Sequence, residues 1–240
     1  MKFIQNKTNL KNKWVFITGA SGFLGKKISL LFAECGSNLI ILDINKSKCE
    51  SLKKQIKKKY NVKIKIYNCD LENENQRNEL IKNIKSNTNK IDIMINNASM
   101  VGTSAVTGWS ASFEKQSLSS WRKAIEINVT SIFHLIQGLK VVLNKNKGSS
   151  IINISSIYGL YAPDKRLYKN TNILFSPAAY AVSKGGLIQL TRWLSTSLAP
   201  KIRVNSIAPG GILRNQGKNF ILNYNAGTPL GRMAKEEDML

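Results

Sequence analysis

Short apolar runs recur along the chain, and stretches with helical periodicity separate them. Six runs of four to six residues are predicted as strands; residues 39–43 have the content of a buried strand, whereas residues 62–67 alternate apolar residues with lysines and are expected to expose one side. The six runs are residues 14–17, 39–43, 62–67, 91–95, 151–154 and 202–207. Strands that alternate with helices in this way predict a parallel sheet with right-handed crossovers.

Helices are predicted between these strands, and local signals mark some of their ends. The predicted helices cover residues 28–33, 45–60, 70–84, 121–143 and 177–198. Gly36 stands where a helix C-terminus is expected, and Asn45 and Asp70 are able to cap the next two helices. Residues 99–120 are polar and rich in glycine and serine, and residues 158–176 follow a strand and contain proline, so both segments are predicted as long loops.

A glycine-rich turn joins the first predicted strand to its helix. Thr18 and Gly19 follow the strand at once, and Gly22 and Gly25 precede the helical pattern. Such a turn directs the backbone N–H groups of a helix N-terminus at a pyrophosphate, and glycine lets the backbone approach that ligand. The turn therefore predicts a mononucleotide-binding βαβ unit, with an ordinary glycine-rich strand–helix turn as the alternative.

Composition narrows the class of protein. The chain has 240 residues, 42% of them hydrophobic, and no linker or repeat divides it, so one domain over residues 1–240 is expected. No apolar run is long enough to cross a bilayer, and no cleavage-like site follows the N-terminus, which predicts a cytoplasmic protein without a membrane partner.

Cys35, Cys49 and Cys69 form no Cys/His cluster, so reduced thiols and no metal site are expected. His134 lies among apolar residues and is expected to be structural.

The formal charge of +22 raises the question of a nucleic-acid partner. The lysines are spread over predicted helix faces and loops and are mixed with asparagine and isoleucine. This distribution favours a general compositional bias, so no nucleic-acid partner is expected, whereas an anionic substrate is compatible. A basic nucleic-acid binder is the alternative, and it requires salt-dependent RNA or DNA binding with which a dinucleotide does not compete.

A tyrosine and a lysine one helical turn apart are the candidates for acid–base chemistry. Tyr180 and Lys184 share one face of the last long predicted helix. Tyr161 and Lys165 have the same spacing, but Pro163 lies between them and disrupts a helical turn. A phenol has an unperturbed pKa of about 10. A nearby ammonium, together with a positively charged nicotinamide ring, is expected to favour the phenolate and to lower that pKa.

A serine completes this candidate site. Ser155 ends the fifth predicted strand, at the edge of a parallel sheet where ligands bind, and its hydroxyl is expected to hold a substrate oxygen. With this residue in place, the chain resembles the short-chain dehydrogenase/reductase family over nearly its whole length. The motifs that carry the resemblance are Thr18-Gly19-x-x-Gly22-x-x-Gly25, Asn96-Asn97-Ala98, Asn128, Ser155, Tyr180-x-x-x-Lys184 and Pro209-Gly210.

The resemblance implies a Rossmann-type doubly wound parallel sheet in three α/β/α layers and an NAD(P)-dependent interconversion of a secondary alcohol and a ketone. Tyr180 is implied as the general acid/base, and Lys184 as the residue that lowers its pKa and holds the nicotinamide ribose. Ser155 is implied to orient the substrate oxygen, and Asn128 to position a proton-relay water. Asn96 is implied in cofactor binding and sheet integrity; a plain backbone contact is the alternative for both asparagines.

The resemblance also implies a set of cofactor-binding residues. They are Thr18, Gly19, Ser21, Gly22, Phe23, Leu24, Gly25, Asp43, Asp70, Leu71, Asn97, Ala98, Tyr180, Lys184, Pro209, Gly210 and Ile212. A carboxylate at Asp43 binds the adenosine ribose hydroxyls and repels a 2′-phosphate, so NAD is expected in preference to NADP. Three lysines, Lys26, Lys46 and Lys48, are able to meet a phosphate and keep NADP open. Asp70 resembles a residue beside the adenine, and a helix cap is its alternative role.

Several features depart from the compact branch of the family. The glycine spacing is similar to that of the extended branch, so an NAD-retaining sugar-nucleotide epimerase or dehydratase is an alternative. Ser99 replaces the glycine that usually follows Asn-Asn-Ala. Ser155 and Tyr180 are further apart than in most relatives, so residues 158–176 must loop out if both side chains meet one substrate.

The last departure concerns the end of the chain. Residues 212–240 are predicted as loop and helix, without the final strand that relatives carry. A C-terminal truncation with an exposed sheet edge is expected, and a non-catalytic cofactor-binding protein is a further alternative. The loop after Ser155 and residues 210–216 resemble relatives from cell-surface sugar biosynthesis, which predicts a sugar or sugar nucleotide as the small-molecule substrate. A homodimer or homotetramer is implied if the C-terminus is complete.

Overall fold

A parallel sheet of six strands forms the centre of the protein. The computed structural model describes residues 9–101, 106–145 and 148–240. The strands are β1 (Trp14–Thr18), β2 (Asn38–Asp43), β3 (Ile64–Asn68), β4 (Ile93–Asn96), β5 (Ser149–Ile154) and β6 (Ile202–Ile207). Their order in the sheet is β3-β2-β1-β4-β5-β6, and every pair is parallel. The strand order reverses between β1 and β4, so the predicted doubly wound Rossmann-type fold is confirmed.

Seven α-helices connect and cover these strands in the described ranges. They are α1 (Phe23–Glu34), α2 (Lys46–Lys57), α3 (Glu74–Asn87), α4 (Leu118–Ile125), α5 (Ser131–Leu143), α6 (Ala178–Ser197) and α7 (Lys218–Ala226). A π-helical turn, Glu126–Thr130, joins α4 to α5, so the helix predicted over residues 121–143 begins earlier and contains a π-bulge. The segments predicted as long loops contain short 3-10 turns, which are Phe113–Lys115, Ile157–Gly159 and Lys165–Tyr168.

Two apolar clusters pack against opposite faces of the sheet. On one face, Ile17 and Ile41 contribute to a cluster with the buried residues of α1 and α2. On the other face, Phe16 and Ile40 contribute to a cluster with the buried residues of α3, α5 and α6. Because successive strand residues are buried on both faces, the central strands have continuous apolar runs instead of alternation.

Helix ends follow the local sequence signals in most places. The side chain of Asn45 caps α2 as predicted, and Gly36 follows α1 with a φ of +81°. The prediction that Asp70 caps the next helix is wrong, because Asn73 caps α3. The carboxylate of Asp70 instead accepts a hydrogen bond from the backbone N–H of Glu72 at 2.9 Å. This contact forms a turn at the end of β3 and delays the start of the helix.

The C-terminal segment packs back on the body of the protein without adding a strand to the sheet. Within residues 212–240 the structure has α7, a 3-10 turn at Glu236–Met239 and one isolated bridge between Ile212 and Ala234. Lys27 and Glu237 form an ion pair at 3.0 Å that ties this segment to α1. None of the helices in the described part of the chain is long and apolar enough to cross a membrane.

Candidate active site

The carboxyl ends of the six strands open into one large cleft of about 1110 Å³. Residues that follow each strand line it in turn. They are Gly19 after β1, Ile44 after β2, Asp70 after β3, Asn97 after β4, Ser156 after β5 and Pro209 after β6. This edge of an open α/β sheet, beside the reversal of strand order, is where such folds bind their ligands.

The glycine-rich turn has the geometry of a phosphate cradle. Gly19 adopts a φ of +61°, and a Cβ on Gly25 would lie 2.1 Å from the carbonyl oxygen of Gly19. Gly22 is the N-cap of α1, no side chain caps the helix, and its first turn contains no acidic residue. Gly22, Phe23 and Leu24 line the cleft. The uncapped N–H groups at this end of α1 fit the pyrophosphate of a dinucleotide.

Thr18 and Asn97 hold the turn against the end of β4. The Thr18 hydroxyl accepts hydrogen bonds from the backbone N–H groups of Asn97 and Ala98, both at 3.0 Å. The Asn97 amide in return donates to the carbonyl oxygens of Thr18 and Gly19. Two predicted cofactor-binding side chains are thus occupied by contacts that fix the backbone of the cradle.

The carboxylate of Asp43 ends β2 at the wall of the cleft. It accepts hydrogen bonds from the backbone N–H groups of Ser21 at 3.0 Å and Asn45 at 3.1 Å, which fix its orientation. Asp70 and Leu71 line the same part of the cleft, as the resemblance implies for the adenosine end. Among the described residues that line the cleft, the three lysines that could favour a 2′-phosphate, Lys26, Lys46 and Lys48, are absent.

Lys184 lies on α6 and lines the cleft, although almost all of the residue is buried. Only 2% of the residue is exposed, and Nζ donates a hydrogen bond to the carbonyl oxygen of Ile154 at 2.9 Å. Burial lowers the pKa of Lys184 from 10.5 to about 7. Its Nζ lies 5.7 Å from the centroid of the Tyr180 ring. The two residues are therefore neighbours, as their spacing predicts.

The pKa of Tyr180 differs from our expectation. Burial raises the pKa of this phenol, and a hydrogen bond from Ser156 and the positive charge of Arg214 oppose that rise only in part. The sequence predicts that Lys184 and a nicotinamide ring together lower the pKa of Tyr180. Lys184 belongs to the chain, whereas the nicotinamide ring belongs to the cofactor. Lys184 lowers the pKa of Tyr180 only as a charged ammonium, and its own burial disfavours that form.

The structure places Ser156, instead of Ser155, against the Tyr180 phenol. The hydroxyl of Ser155 donates to the carbonyl oxygen of Lys184 at 2.8 Å and is buried beneath α6. The Ser156 side chain hydrogen-bonds Tyr180 and also accepts from the backbone N–H of Tyr158 at 3.2 Å. The sequence motif does not distinguish Ser156 from Ser155, because both residues directly follow β5. Strand alternation gives the missing signal, since Ser155 continues the face of Asn153 that packs on α6.

Asn128 lies in the π-helical turn, and its side chain is fully engaged. Its Oδ1 accepts from the backbone N–H of Met100 at 2.8 Å and from the hydroxyl of Ser99 at 3.0 Å. Its Nδ2 donates to the carbonyl oxygen of Met100 and to the hydroxyl of Ser183. The amide thereby fixes the segment after β4 against α6, and its assignment to a proton-relay water stays a prediction.

Asn96 and His134 both lie outside the cleft lining. Asn96 is buried in the sheet and donates to Oδ1 of Asn153 on β5 at 2.8 Å, which supports a role in sheet integrity. His134 on α5 accepts a hydrogen bond at Nδ1 from Arg77, whose guanidinium also pairs with Glu126. The histidine therefore has the structural position that its apolar neighbours suggest.

The segment between Ser155 and Tyr180 leaves the direct path and packs on α7. The amide of Asn223 donates to the carbonyl oxygens of Leu167 and Lys169, which fastens the 3-10 turn Lys165–Tyr168. The ring of Tyr168 meets that of Phe220 edge to face at 5.5 Å. Several residues of this contact line the cleft beside Tyr180, namely Tyr158, Tyr168, Ile173, Leu174, Phe220 and Tyr224.

Comparison with known proteins identifies the family of this chain. Residues 13–223 match the short chain dehydrogenase family. The chain belongs to this family. A 7alpha-hydroxysteroid dehydrogenase from Escherichia coli (strain K12) is 30% identical over 243 residues, which cover 99% of this chain and 88% of the relative. The protein is therefore a short-chain dehydrogenase/reductase, as its motifs predict.

Two solved structures that are similar to this chain contain different nicotinamide cofactors. A Leptospira borgpetersenii enzyme with bound NAD+ is 29% identical with a TM-score of 0.79, and the match covers 98% of this chain and 85% of that one. The Pseudomonas aeruginosa RhlG–NADP complex is 26% identical with a TM-score of 0.81, and the match covers 97% and 88%. These similarities support a nicotinamide cofactor. They do not distinguish NAD from NADP.

Proposed function

We propose that the protein is an NAD-preferring oxidoreductase that interconverts a secondary alcohol and a ketone, with Tyr180 as the general acid/base. The observation that carries this proposal is the convergence of Tyr180, Ser156 and Lys184 in the cleft that also contains the glycine-rich turn. A nicotinamide ring, when bound, supplies or accepts the hydride.

Each of the three side chains has a distinct task in this proposal. The hydroxyl of Tyr180 gives a proton to the substrate oxygen in reduction and removes it in oxidation. Ser156 hydrogen-bonds the phenol and orients the same substrate oxygen, which is the role first expected for Ser155. Among the described residues the ammonium of Lys184 donates one hydrogen bond, to Ile154, so its remaining donors are able to hold the nicotinamide ribose. Asn128 positions the segment after β4 and, in the proposal, the relay water.

The proposed preference for NAD depends on one carboxylate. Asp43 is held at the end of β2 by two backbone N–H groups and faces the adenosine end of the cleft. A carboxylate there accepts hydrogen bonds from the ribose hydroxyls and repels a 2′-phosphate. Gly22, Phe23 and Leu24 bind the pyrophosphate, and Pro209, Gly210 and Ile212 form the opposite wall at the nicotinamide end.

For the substrate we propose a sugar or a sugar nucleotide. The cleft beside Tyr180 combines aromatic rings with polar side chains, which are Tyr158, Tyr168, Tyr224, Asn215 and Gln216. Phenol and amide groups supply both donors and acceptors to a polyhydroxylated ring. NADH formation across a panel of sugar alcohols and sugar nucleotides tests this assignment, and turnover confined to apolar alcohols would contradict it.

The glycine spacing keeps a second candidate function, an epimerase or dehydratase that retains NAD. Gly19, Gly22 and Gly25 have the spacing of the extended branch, and the turn that they form is intact. Such an enzyme keeps its dinucleotide through purification and shows no net NADH formation. Exchangeable cofactor with stoichiometric NADH formation distinguishes the dehydrogenase.

Two substitutions test the proposed chemistry. Tyr180→Phe removes the acid/base group and is expected to lower turnover by at least a hundredfold, with NAD affinity nearly unchanged. Ser156→Ala is expected to lower kcat, whereas Ser155→Ala, its matched control, removes a buried hydrogen bond to Lys184 and mainly lowers stability. Equal turnover in Tyr180→Phe and the native enzyme would refute the assignment of Tyr180.

We also propose a single cytoplasmic domain that assembles as a homodimer or homotetramer. Large apolar side chains on the outer faces of α5 and α6 support assembly, because Phe133, Val141 and Trp193 are exposed there. Light scattering of the purified protein measures the oligomeric state, and a strictly monomeric enzyme would contradict this proposal.

A further inference from the structure

A positively charged side chain lies over the glycine-rich turn from the opposite side of the cleft. Arg214 belongs to the loop after β6, and its guanidinium carbon lies 4.1 Å from the centroid of the Phe23 ring. Phe23 is the first residue of α1, and half of its surface is exposed. The guanidinium therefore sits beside the helix N-terminus that receives the pyrophosphate in the proposed function.

The loop that carries Arg214 is fixed by several hydrogen bonds. Ile212 pairs with Ala234 in an isolated bridge, and the neighbouring N–H of Leu213 donates to the carbonyl oxygen of Ala234 at 2.7 Å. The side chain of Gln216 accepts from the backbone N–H of Arg214 at 2.6 Å and donates to the carbonyl oxygen of Ile212 at 2.9 Å. These hydrogen bonds fix the backbone at Arg214, and the contact of its guanidinium with the Phe23 ring fixes the side chain.

The guanidinium of Arg214 is available to an anion. Three other arginines are paired with carboxylates, namely Arg77, Arg166 and Arg232. Across residues 9–101, 106–145 and 148–240, the Arg214 side chain forms no ion pair and donates no hydrogen bond. The five N–H donors of its planar fork therefore have no partner among the described residues, and Arg214 helps to line the cleft.

We propose that Arg214 binds the pyrophosphate of the dinucleotide from the loop after β6, while the N–H groups of α1 bind it from the glycine-rich turn. A planar guanidinium binds phosphate oxygens in a bidentate manner, and its stack on Phe23 reduces the side-chain freedom lost on binding. This inference rests on the proposed function. It adds Arg214 to the phosphate-binding residues that the resemblance implies.

Binding of fragments of the cofactor tests the role of Arg214 without any turnover. Isothermal titration with ADP-ribose and with adenosine is compared for the native protein, Arg214→Gln and Arg214→Lys. We expect Arg214→Gln to bind ADP-ribose about tenfold more weakly or worse, because a charge-assisted contact is lost, and to bind adenosine as the native protein does. Arg214→Lys keeps the charge without the fork and is expected to lie between them. Arg192→Gln, an exposed arginine on α6 outside the cleft lining, is the matched control and should match the native protein.

Three outcomes overturn the inference. Native affinity of Arg214→Gln for ADP-ribose shows that the pyrophosphate does not meet Arg214. An equal loss for adenosine shows a general distortion of the cleft. A raised KM for an anionic substrate with unchanged ADP-ribose affinity shows that the substrate provides the anion. In each of these cases the native protein still binds ADP-ribose, so the proposed function survives; a native protein that binds neither fragment refutes both.

Discussion

Lys184 is expected to make the stability of the protein depend on pH just above neutrality. Burial lowers the pKa of Lys184 from 10.5 to about 7, whereas in the unfolded chain the ammonium has its ordinary pKa. Between these two values the unfolded chain binds more protons than the folded chain, so the free energy of unfolding rises with pH. The stability gained at high pH is lost as the pH falls through about 7.

The size of this effect follows from the two pKa values. Each pH unit well inside the window contributes about 1.4 kcal/mol, and the rise from pH 7 to pH 8.5 amounts to about 1.5 kcal/mol, because the folded-state lysine is half deprotonated at the lower limit. The window ends near pH 8.5 because burial raises the pKa values of Cys49 and Cys69 to about 11, and these thiols act with the opposite sign above that pH.

The perturbation is Lys184→Met, which keeps an apolar stem and removes the titrating group. Urea unfolding, followed by tryptophan fluorescence at constant ionic strength, gives the free energy of unfolding at pH 7.0 and 8.5. We expect Lys184→Met to lose most of the rise seen in the native protein. Lys140→Met, at an exposed position on α5, is the control and should keep the rise. The same rise in Lys184→Met as in the native protein would refute a buried lysine with a lowered pKa.

Three further substitutions address the cradle, the cofactor choice and the core. Asp43→Asn should lower the ratio of kcat/KM for NAD over NADP at least tenfold, because it removes the charge that repels a 2′-phosphate; an unchanged ratio excludes that role. Arg77→Met, at a residue with 1% exposure, should lower the free energy of unfolding by about 2 kcal/mol in urea titrations, since the carbonyl oxygen of Leu71 and Nδ1 of His134 lose their donor. Gly25→Ala should weaken ADP-ribose binding, because its Cβ meets the carbonyl of Gly19, whereas Gly217→Ala, in open space, should have no effect.

Much of the sheet could be predicted from sequence because its central strands bury both faces. Each central strand needs only a short run of apolar residues, and that run is visible without knowledge of its neighbours. Strand ends were less predictable. Ile91 is fully buried but precedes β4, because its N–H bonds the carbonyl oxygen of Val142 instead of a neighbouring strand. Similarly, Asp70 and Asn73 are both suitable caps, and only the turn geometry selects Asn73.

The proximity of two candidate site residues could be predicted from the sequence, whereas their electrostatics could not. The spacing of Tyr180 and Lys184 places them together on α6, as the structure shows. Helical spacing says nothing about how much water reaches them, and burial sets the direction in which both pKa values move. Ser155 and Ser156 are adjacent in sequence, so only the direction of each side chain at the end of β5 separates the buried hydroxyl from the one at the phenol.

The contact between Arg214 and Phe23 could not be predicted from the sequence because it joins distant parts of the chain. Arg214 and Phe23 lie near opposite ends of the sequence, and no sequence motif contains both of them. The parallel sheet brings the segments after β1 and β6 to the same edge, and the bridge between Ile212 and Ala234 then fixes the loop over the turn. A phosphate site built from two such segments requires both to be in place. Loss of that bridge should therefore weaken ADP-ribose binding although neither of its residues carries charge.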